Sequence, residues 1–325
     1  MKQYRWGIIG TGHIAGQFSE GLQILPQAIL YAVASRNKRN AEEFACRYNV
    51  QKAYGSYSEL LNDPDVDIVY IATPNHLHFT LAAEALNAKK AVICEKPMGL
   101  SPDEVEQLNQ LSEKNHVFLM EALWSAFLPS ILKTKQLVQE GVIGKPHIVK
   151  ADFGIHPKYD PNSRLFDPSM GGGSVYDIGI YPLFMALYMF GVPQQIKALS
   201  VPAPTGVDMT TLMMLKHKNE VVSLLSSSFA CNLKSDATIA GEKGSLRLDR
   251  MFHMPTKLFF QKENEEDETE IPLCFEGNGY NYEAAEVMKC MDKGEIESTI
   301  YSHAMSKALA DLISNVLTEI NEHNN

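Results

Sequence analysis

Over residues 4–122 the hydrophobic pattern switches between two periods. Arg5–Ile9, Ile29–Ala34, Ile68–Ala72, Ala91–Cys94 and Val117–Met120 are short, nearly continuous apolar runs that read as strands. Ile14–Ile24, Lys38–Tyr48, Leu77–Leu86 and Pro102–Lys114 carry apolar residues at helical spacing, and a short helix is predicted over Ser56–Leu61. Strands that alternate with helices and are apolar on both faces predict βαβ units around a parallel sheet covered on each side.

The rhythm changes after about residue 122. A helix is predicted over Ala126–Glu140, with Gly141 as its C-cap, then a strand over His147–Phe153. A loop rich in Pro, Asn and Gly follows to Gly173, and a helix is predicted over Ser174–Phe190. From Gln194 to Leu273 strand-like runs succeed one another, with corners at Lys216–Glu220 and Gly241–Gly244, which predicts a largely antiparallel sheet. Helices over Tyr282–Met291 and His303–Ile320 close the pattern. The acidic run Glu263–Glu270 reads as a solvated hairpin loop, because like charges in series repel and stay exposed. The expectation is an α/β N-terminal domain over residues 1–122 and an α+β C-terminal domain with a large, mostly antiparallel open sheet over residues 123–325.

Composition narrows the function classes. The chain has 325 residues, 45% hydrophobic and 21% charged, enough to bury large cores without covalent staples. Its net charge of -10 disfavours nucleic acid and anionic membranes, since the mean field repels phosphate. The longest apolar stretch, around Tyr181–Phe190, is too short to span a bilayer. The five cysteines, Cys46, Cys94, Cys231, Cys274 and Cys290, are odd in number and have no C-x-x-C spacing, so neither a disulfide framework nor a cysteine zinc site is expected. Reduced thiols and the lack of a leader-like N-terminus fit a cytoplasmic location.

The stretch Gly10-Thr11-Gly12-His13-Ile14-Ala15 follows a predicted strand and opens a predicted helix, the context that a dinucleotide fingerprint requires. Gly10 permits the tight turn, Gly12 lets a pyrophosphate approach the backbone, and Ala15 replaces the third glycine. The same glycines would also serve a turn that holds no ligand. Cofactor choice is read at the end of the second strand, where an NAD-selective site places a carboxylate. Here Ser35 and Arg36 stand there, and a guanidinium pairs with a 2′-phosphate, so NADP is expected over NAD. Arg36 as a solvated helix-start residue is the alternative.

Two further stretches carry chemistry: Glu95-Lys96-Pro97 at a strand tip, and GGGSVYDIGIYPL over Gly171–Leu183. In an open α/β sheet ligands bind at the carboxyl ends of the strands, which is where Lys96 stands. Asp177 and Tyr181 are four residues apart and would share a face of a helix. Hydride transfer to a carbonyl leaves charge on oxygen and needs a proton donor. A phenol with an ordinary pKa of about 10 becomes a usable one beside an ammonium, so Lys96 and Tyr181 make a complete acid/base unit. A half-buried core aromatic is the plain alternative for Tyr181.

GTGHIA, the EKP tripeptide and GGGSVYDIGIY, in this order and spacing, resemble the glucose–fructose oxidoreductase / inositol dehydrogenase / MocA (Gfo/Idh/MocA) family over essentially the whole chain. Within it, ASRN (Ala34–Asn37), MEALW (Met120–Trp124) and RLFDP (Arg164–Pro168) look most like the dimeric dihydrodiol dehydrogenase / NADP D-xylose 1-dehydrogenase branch. The resemblance implies a Rossmann N-domain and a C-terminal sheet that mediates homodimer or homotetramer contact. It implies Lys96, Tyr181 and Asp177 as catalytic, with Tyr181 where many relatives carry histidine. It also implies Thr73, Asn75, His78 and Glu95 beside Lys96 near the nicotinamide, and Trp124 and Arg164 with Asp177 and Tyr181 in the substrate pocket.

The expected function is an NADP-dependent oxidoreductase acting on a sugar, polyol or dihydrodiol. The alternatives are an NADPH-dependent reductase of a ketose-like or dicarbonyl compound and a non-catalytic NADP sensor. His76 and His78 form an H-x-H pair, but no third ligand joins them at convincing spacing, so no metal is expected. Neither a nucleic-acid nor a membrane partner is expected.

Overall fold

A computed structural model describes residues 2–323 of the chain, which forms two compact units. The first comprises residues 1–127 and 276–307, the second residues 128–275 and 308–325.

The first unit is built on a six-stranded parallel sheet of β1 (Tyr4–Ile9), β2 (Ala28–Ala34), β3 (Lys52–Tyr54), β4 (Ile68–Ile71), β5 (Ala91–Glu95) and β6 (Leu119–Ala122). Its strand order is β3-β2-β1-β4-β5-β6, the doubly wound order with a reversal between β1 and β4. The connections are α1 (His13–Gln23), α2 (Lys38–Tyr48), α3 (Tyr57–Leu61), α4 (His78–Asn87) and α5 (Pro102–Asn115). Asn37, Ser56 and Ser101 cap α2, α3 and α5 by accepting backbone N–H bonds, which explains their sharp starts. The strand β3 has only three residues, too few for a periodic signal in the sequence.

The sequence-expected boundary follows residue 122; the first unit runs on through a 3-10 turn over Trp124–Phe127 and takes in α8 (Tyr280–Asp292). Specific contacts hold α8 there. The Tyr280 ring stacks on Trp124 at 4.4 Å and meets Phe18 edge-on at 6.2 Å. Tyr4 donates to Asp292 at 2.7 Å, and Asn278 donates to the Gln17 carbonyl at 2.7 Å. The helix expected over Ala126–Glu140 is shorter, α6 (Pro129–Gln139), because Pro129 starts it.

The second unit carries an eight-stranded sheet of β7 (Pro146–Gly154), β8 (Pro193–Pro202), β9 (Asp208–His217), β10 (Val222–Ser228), β11 (Ala237–Gly241), β12 (Gly244–Leu248), β13 (Leu258–Lys262) and β14 (Thr269–Ile271). The order is β14-β13-β12-β11-β7-β10-β9-β8, antiparallel except where β10 runs parallel to β7. One face packs on α7 (Ile180–Phe190), which is buried along most of its length. The segment Ser174–Phe190 is not one α-helix as expected: Val175–Gly179 forms a π-turn that leads into α7. The acidic run Glu263–Glu270 is exposed, and Glu268 and Glu270 pair with Arg247 and Lys257. The last helix, α9 (His303–His323), begins in the first unit and ends in the second. No helix among the described residues is long and apolar enough to cross a membrane.

Candidate active site

The candidate residues fall into two groups, one in each unit. In the first unit they line the carboxyl edge of the parallel sheet. Gly10 leaves β1 with φ +105°, and a Cβ there would collide with the Ala72 carbonyl oxygen, so only glycine fits. Gly12 caps α1 with no side-chain hydrogen bond, and the place a Cβ would take is open to beyond 4 Å. Gly12, His13 and Ile14 are exposed, and the first turn of α1 holds no acid. Helix N–H groups with no side-chain partner, beside open space at a positive dipole end, suit a pyrophosphate.

Ser35 is buried at the end of β2 and accepts from Asn37 N at 3.3 Å, while Arg36 is exposed. Arg39 is engaged by Glu43 at 2.8 Å, whereas Arg36 takes part in no ion pair among the described residues. After β4, the Thr73 hydroxyl is buried without a hydrogen-bond partner, and Asn75 opens a 3-10 turn. An orphaned buried hydroxyl costs free energy unless a ligand or water meets it. Together the open Gly12 and the orphaned Thr73 hydroxyl fit a dinucleotide.

His78 is almost wholly buried, with Nδ1 2.8 Å from the Pro97 carbonyl oxygen and Nε2 2.7 Å from that of Thr73. Burial lowers its pKa, against the pull of those carbonyls. A neutral ring can donate to one of them, and it ties the loop after β4 to the Lys96 loop. His76 is exposed, and no group of three His, Cys, Asp or Glu side chains among the described residues is arranged as a metal site.

At the end of β5 the Glu95 carboxyl accepts from the Tyr70 hydroxyl, and Lys96 follows, half-buried, before a cis bond to Pro97. Burial raises the Glu95 pKa, a shift that the Tyr70 hydrogen bond and the Lys96 charge oppose. Sequence reasoning missed what supports this loop. The buried Glu121 accepts from Met98 N at 2.8 Å and from the Tyr301 hydroxyl at 2.9 Å. Glu121 lies in the MEALW stretch, but nothing in its spacing marks it as the loop's anchor. Trp124 is buried against Tyr280 in this unit.

In the second unit Arg164, exposed, pairs with Asp177 at 2.8 Å. Asp177 sits in the π-turn and Tyr181 is the second residue of α7. The Tyr181 ring is buried in an aromatic cluster, 5.7 Å from Phe153 and 4.8 Å from His253, which themselves stack at 4.1 Å. Phe153 and His253 had no sequence signal, because strands and loops far apart in the chain bring them to Tyr181.

Comparison with known proteins identifies the family and the fold. Residues 4–123 match the family described as an oxidoreductase family with an NAD-binding Rossmann fold, and residues 131–247 match the GFO/IDH/MocA C-terminal domain. Trans-1,2-dihydrobenzene-1,2-diol dehydrogenase of Danio rerio is 35% identical over 324 residues, covering 97% of this chain and 96% of the relative. Its counterpart in Mus musculus is 36% identical over 321 residues, covering 95% and 94%. Among solved structures, an aldose-aldose oxidoreductase from Caulobacter crescentus superposes with a TM-score of 0.90 at 23% identity, over 99% of this chain and 98% of the other. A 3-ketoreductase from Actinomadura kijaniata in complex with NADP gives 0.88 at 24% identity, over 98% of each.

Proposed function

The chain belongs to the Gfo/Idh/MocA family of oxidoreductases, and from that premise we propose that it moves a hydride between NADP and a trans-dihydrodiol, sugar or polyol, with Tyr181 as acid/base. NAD(P)-dependent oxidation or reduction at a CH–OH group follows from the membership itself. The choice of NADP, of substrate and of the proton-transfer residue is our reading.

The observation that carries it is the carboxyl edge of the parallel sheet, where the open Gly12 backbone, the orphaned Thr73 hydroxyl and Lys96 lie at the ends of β1, β4 and β5. The bound dinucleotide supplies the hydride acceptor or donor. In oxidation, Tyr181 takes the proton of the substrate hydroxyl; in reduction it returns that proton to the carbonyl oxygen. Lys96 favours the phenolate by its charge, and Asp177, held by Arg164, orients the substrate hydroxyls. Asn75 and Glu95 hold the nicotinamide end, Ser35 and Arg36 the 2′-phosphate, and Trp124 and Arg164 border the substrate. The curated relatives named for a trans-dihydrodiol support the substrate class.

We also propose that a second copy covers the outer face of β8–β10. Leu199, Leu212, Met214 and Leu224 are exposed there on neighbouring strands and line a groove of about 470 Å³, and Val201 is exposed on the same strand as Leu199. Contiguous apolar surface of this kind marks an interface, here of a homodimer or homotetramer. The five cysteines are free thiols, which fits a reducing compartment such as the cytoplasm.

The test is spectrophotometric: reduction of NADP+ and NAD+ by trans-dihydrodiols, aldopyranoses and polyols, with Tyr181→Phe alongside. Reduction of NADP+ with a kcat at least about a hundredfold lower in Tyr181→Phe is expected. A Tyr181→Phe enzyme with full turnover rejects the acid/base assignment, and tight NADP binding without turnover on any substrate favours a sensor.

A further inference from the structure

We propose that Asp208 is a positioning residue for Tyr181, its carboxylate anchoring the π-turn that carries Asp177 and delivers Tyr181 into α7. The inference rests on the reading of Tyr181 as acid/base.

Asp208 is the first residue of β9 and is buried. Its Oδ2 accepts from Ser174 Oγ at 2.7 Å, from Val175 N at 2.7 Å and from Thr211 Oγ1 at 3.4 Å. Ser174 Oγ also lies 2.8 Å from Ser227 Oγ on β10. Thus a single oxygen binds the residue before the π-turn and the first residue within it. Gly173, with φ +117°, lets the chain pass tightly over the carboxylate. At the other end of the turn, a Cβ on Gly179 would lie 3.0 Å from Ser227 Oγ, so the backbone lies directly on β10. Both ends of the π-turn are therefore fixed to the sheet.

A π-turn contains one more residue than an α-turn, and such bulges are frequently found at functional sites. Relaxing it to α geometry moves each following residue by one position, about 100° around the helix axis. Such a rotation would take the Tyr181 hydroxyl away from its direction beside Phe153 and His253. A carboxylate suits the anchoring role better than a neutral cap. Its bonds to N–H and O–H donors are charge-assisted, and it faces the positive end of the helix. Burying it is costly, and in this unit the gain appears where the candidate acid/base is aimed.

The test uses the full-length protein with Asp208→Ala, Asp208→Asn and Ser174→Ala, each also combined with Tyr181→Phe. We expect Asp208→Ala to lower kcat for NADP+ reduction by trans-1,2-dihydrobenzene-1,2-diol by about tenfold or more while KM for NADP+ stays within about twofold. Asp208→Asn, which keeps an acceptor oxygen, should recover much of that loss. In the Tyr181→Phe background Asp208→Ala should cost nothing further, because it acts through the phenol. The proposal is overturned if kcat is unchanged, or if it falls by the same factor in both backgrounds. Should Asp208→Ala fail to fold, Ser174→Ala with unaltered kcat overturns it. A readout independent of turnover is the 19F resonance of fluorotyrosine-labelled protein that is missing from Tyr181→Phe. Asp208→Ala, or Ser174→Ala where that variant does not fold, must move it, and an unmoved resonance rejects the anchor even where the Tyr181 reading itself has failed.

Discussion

Replacing Gly173 by alanine tests the close packing at the start of the π-turn. The backbone there has φ +117°, a region that alanine enters at a cost of about 1–3 kcal/mol. The new Cβ would stand 3.1 Å from Asp208 Cγ and closer still to its Oδ1. Asp208 is buried and its other oxygen is held by Ser174 and Val175, so the carboxylate cannot swing aside without lengthening two 2.7 Å hydrogen bonds. Weakening bonds to a charged group costs about 1.5–3 kcal/mol. The expected loss is therefore roughly 2.5–6 kcal/mol, which at about 2–4 °C per kcal/mol for a domain of this size lowers Tm by about 5–24 °C. Gly141→Ala is the control: its φ is +73° and nothing lies within 4 Å of the added carbon, so only the left-handed backbone cost of about 1–2 kcal/mol applies. Urea and thermal unfolding followed by circular dichroism compare the two. Equal losses in Gly173→Ala and Gly141→Ala would refute the claim that Asp208 packs against the turn.

Arg36→Ala should lower kcat/KM with NADP+ by about tenfold or more and leave that with NAD+ nearly unchanged, since a phosphate–guanidinium pair contributes roughly 1.5–3 kcal/mol; equal losses with both cofactors would argue against a 2′-phosphate contact. A Leu212→Lys, Met214→Lys double variant should sediment as a smaller species than the parent protein; an unchanged sedimentation coefficient would place any assembly elsewhere. Burial pushes the Asp208 carboxyl up to about 6 from 3.8, against the hydrogen bonds from Ser174 and Val175. Because the folded state then holds the proton more tightly, this contribution to stability is complete below about pH 4 and is lost as pH rises through about 6. Its size is on the order of 3 kcal/mol. Burial raises Glu95, Glu121 and Glu283 in the same sense, so the comparison is between the protein and Asp208→Asn. The variant should lose less stability between pH 4 and 7 in urea titrations; parallel curves would contradict the shift.

Local pattern carried much of the fold and part of the candidate site. The apolar runs of β1, β2, β4 and β5 and the amphipathic α2, α4 and α5 are legible because each is set by residues a few positions apart. The turn at Gly10–Gly12 is legible for the same reason: a strand, two glycines and a helix start are adjacent in the chain. Lys96 is marked by its place at a strand tip next to proline.

Other features exist only through contacts between residues distant in the chain. The π-turn at Val175–Gly179 depends on Asp208, 33 residues beyond Val175, and a periodicity argument over Ser174–Phe190 returns a plain helix. The aromatic setting of Tyr181 needs Phe153 from a strand and His253 from a loop. The Lys96 loop is held by Glu121 through Met98, and Glu121 in turn by Tyr301, 180 residues away. The helix α8 joins the first unit because Tyr280 finds Trp124 and Phe18. Sequence alone determined which segments are strands and helices and which residue types stand at their tips, because backbone sterics and periodic burial act over a few residues. Tertiary structure decided how those tips are held and which way the side chains point, because a buried polar or aromatic group is placed by the partners that compensate its desolvation, and chain proximity does not reveal them.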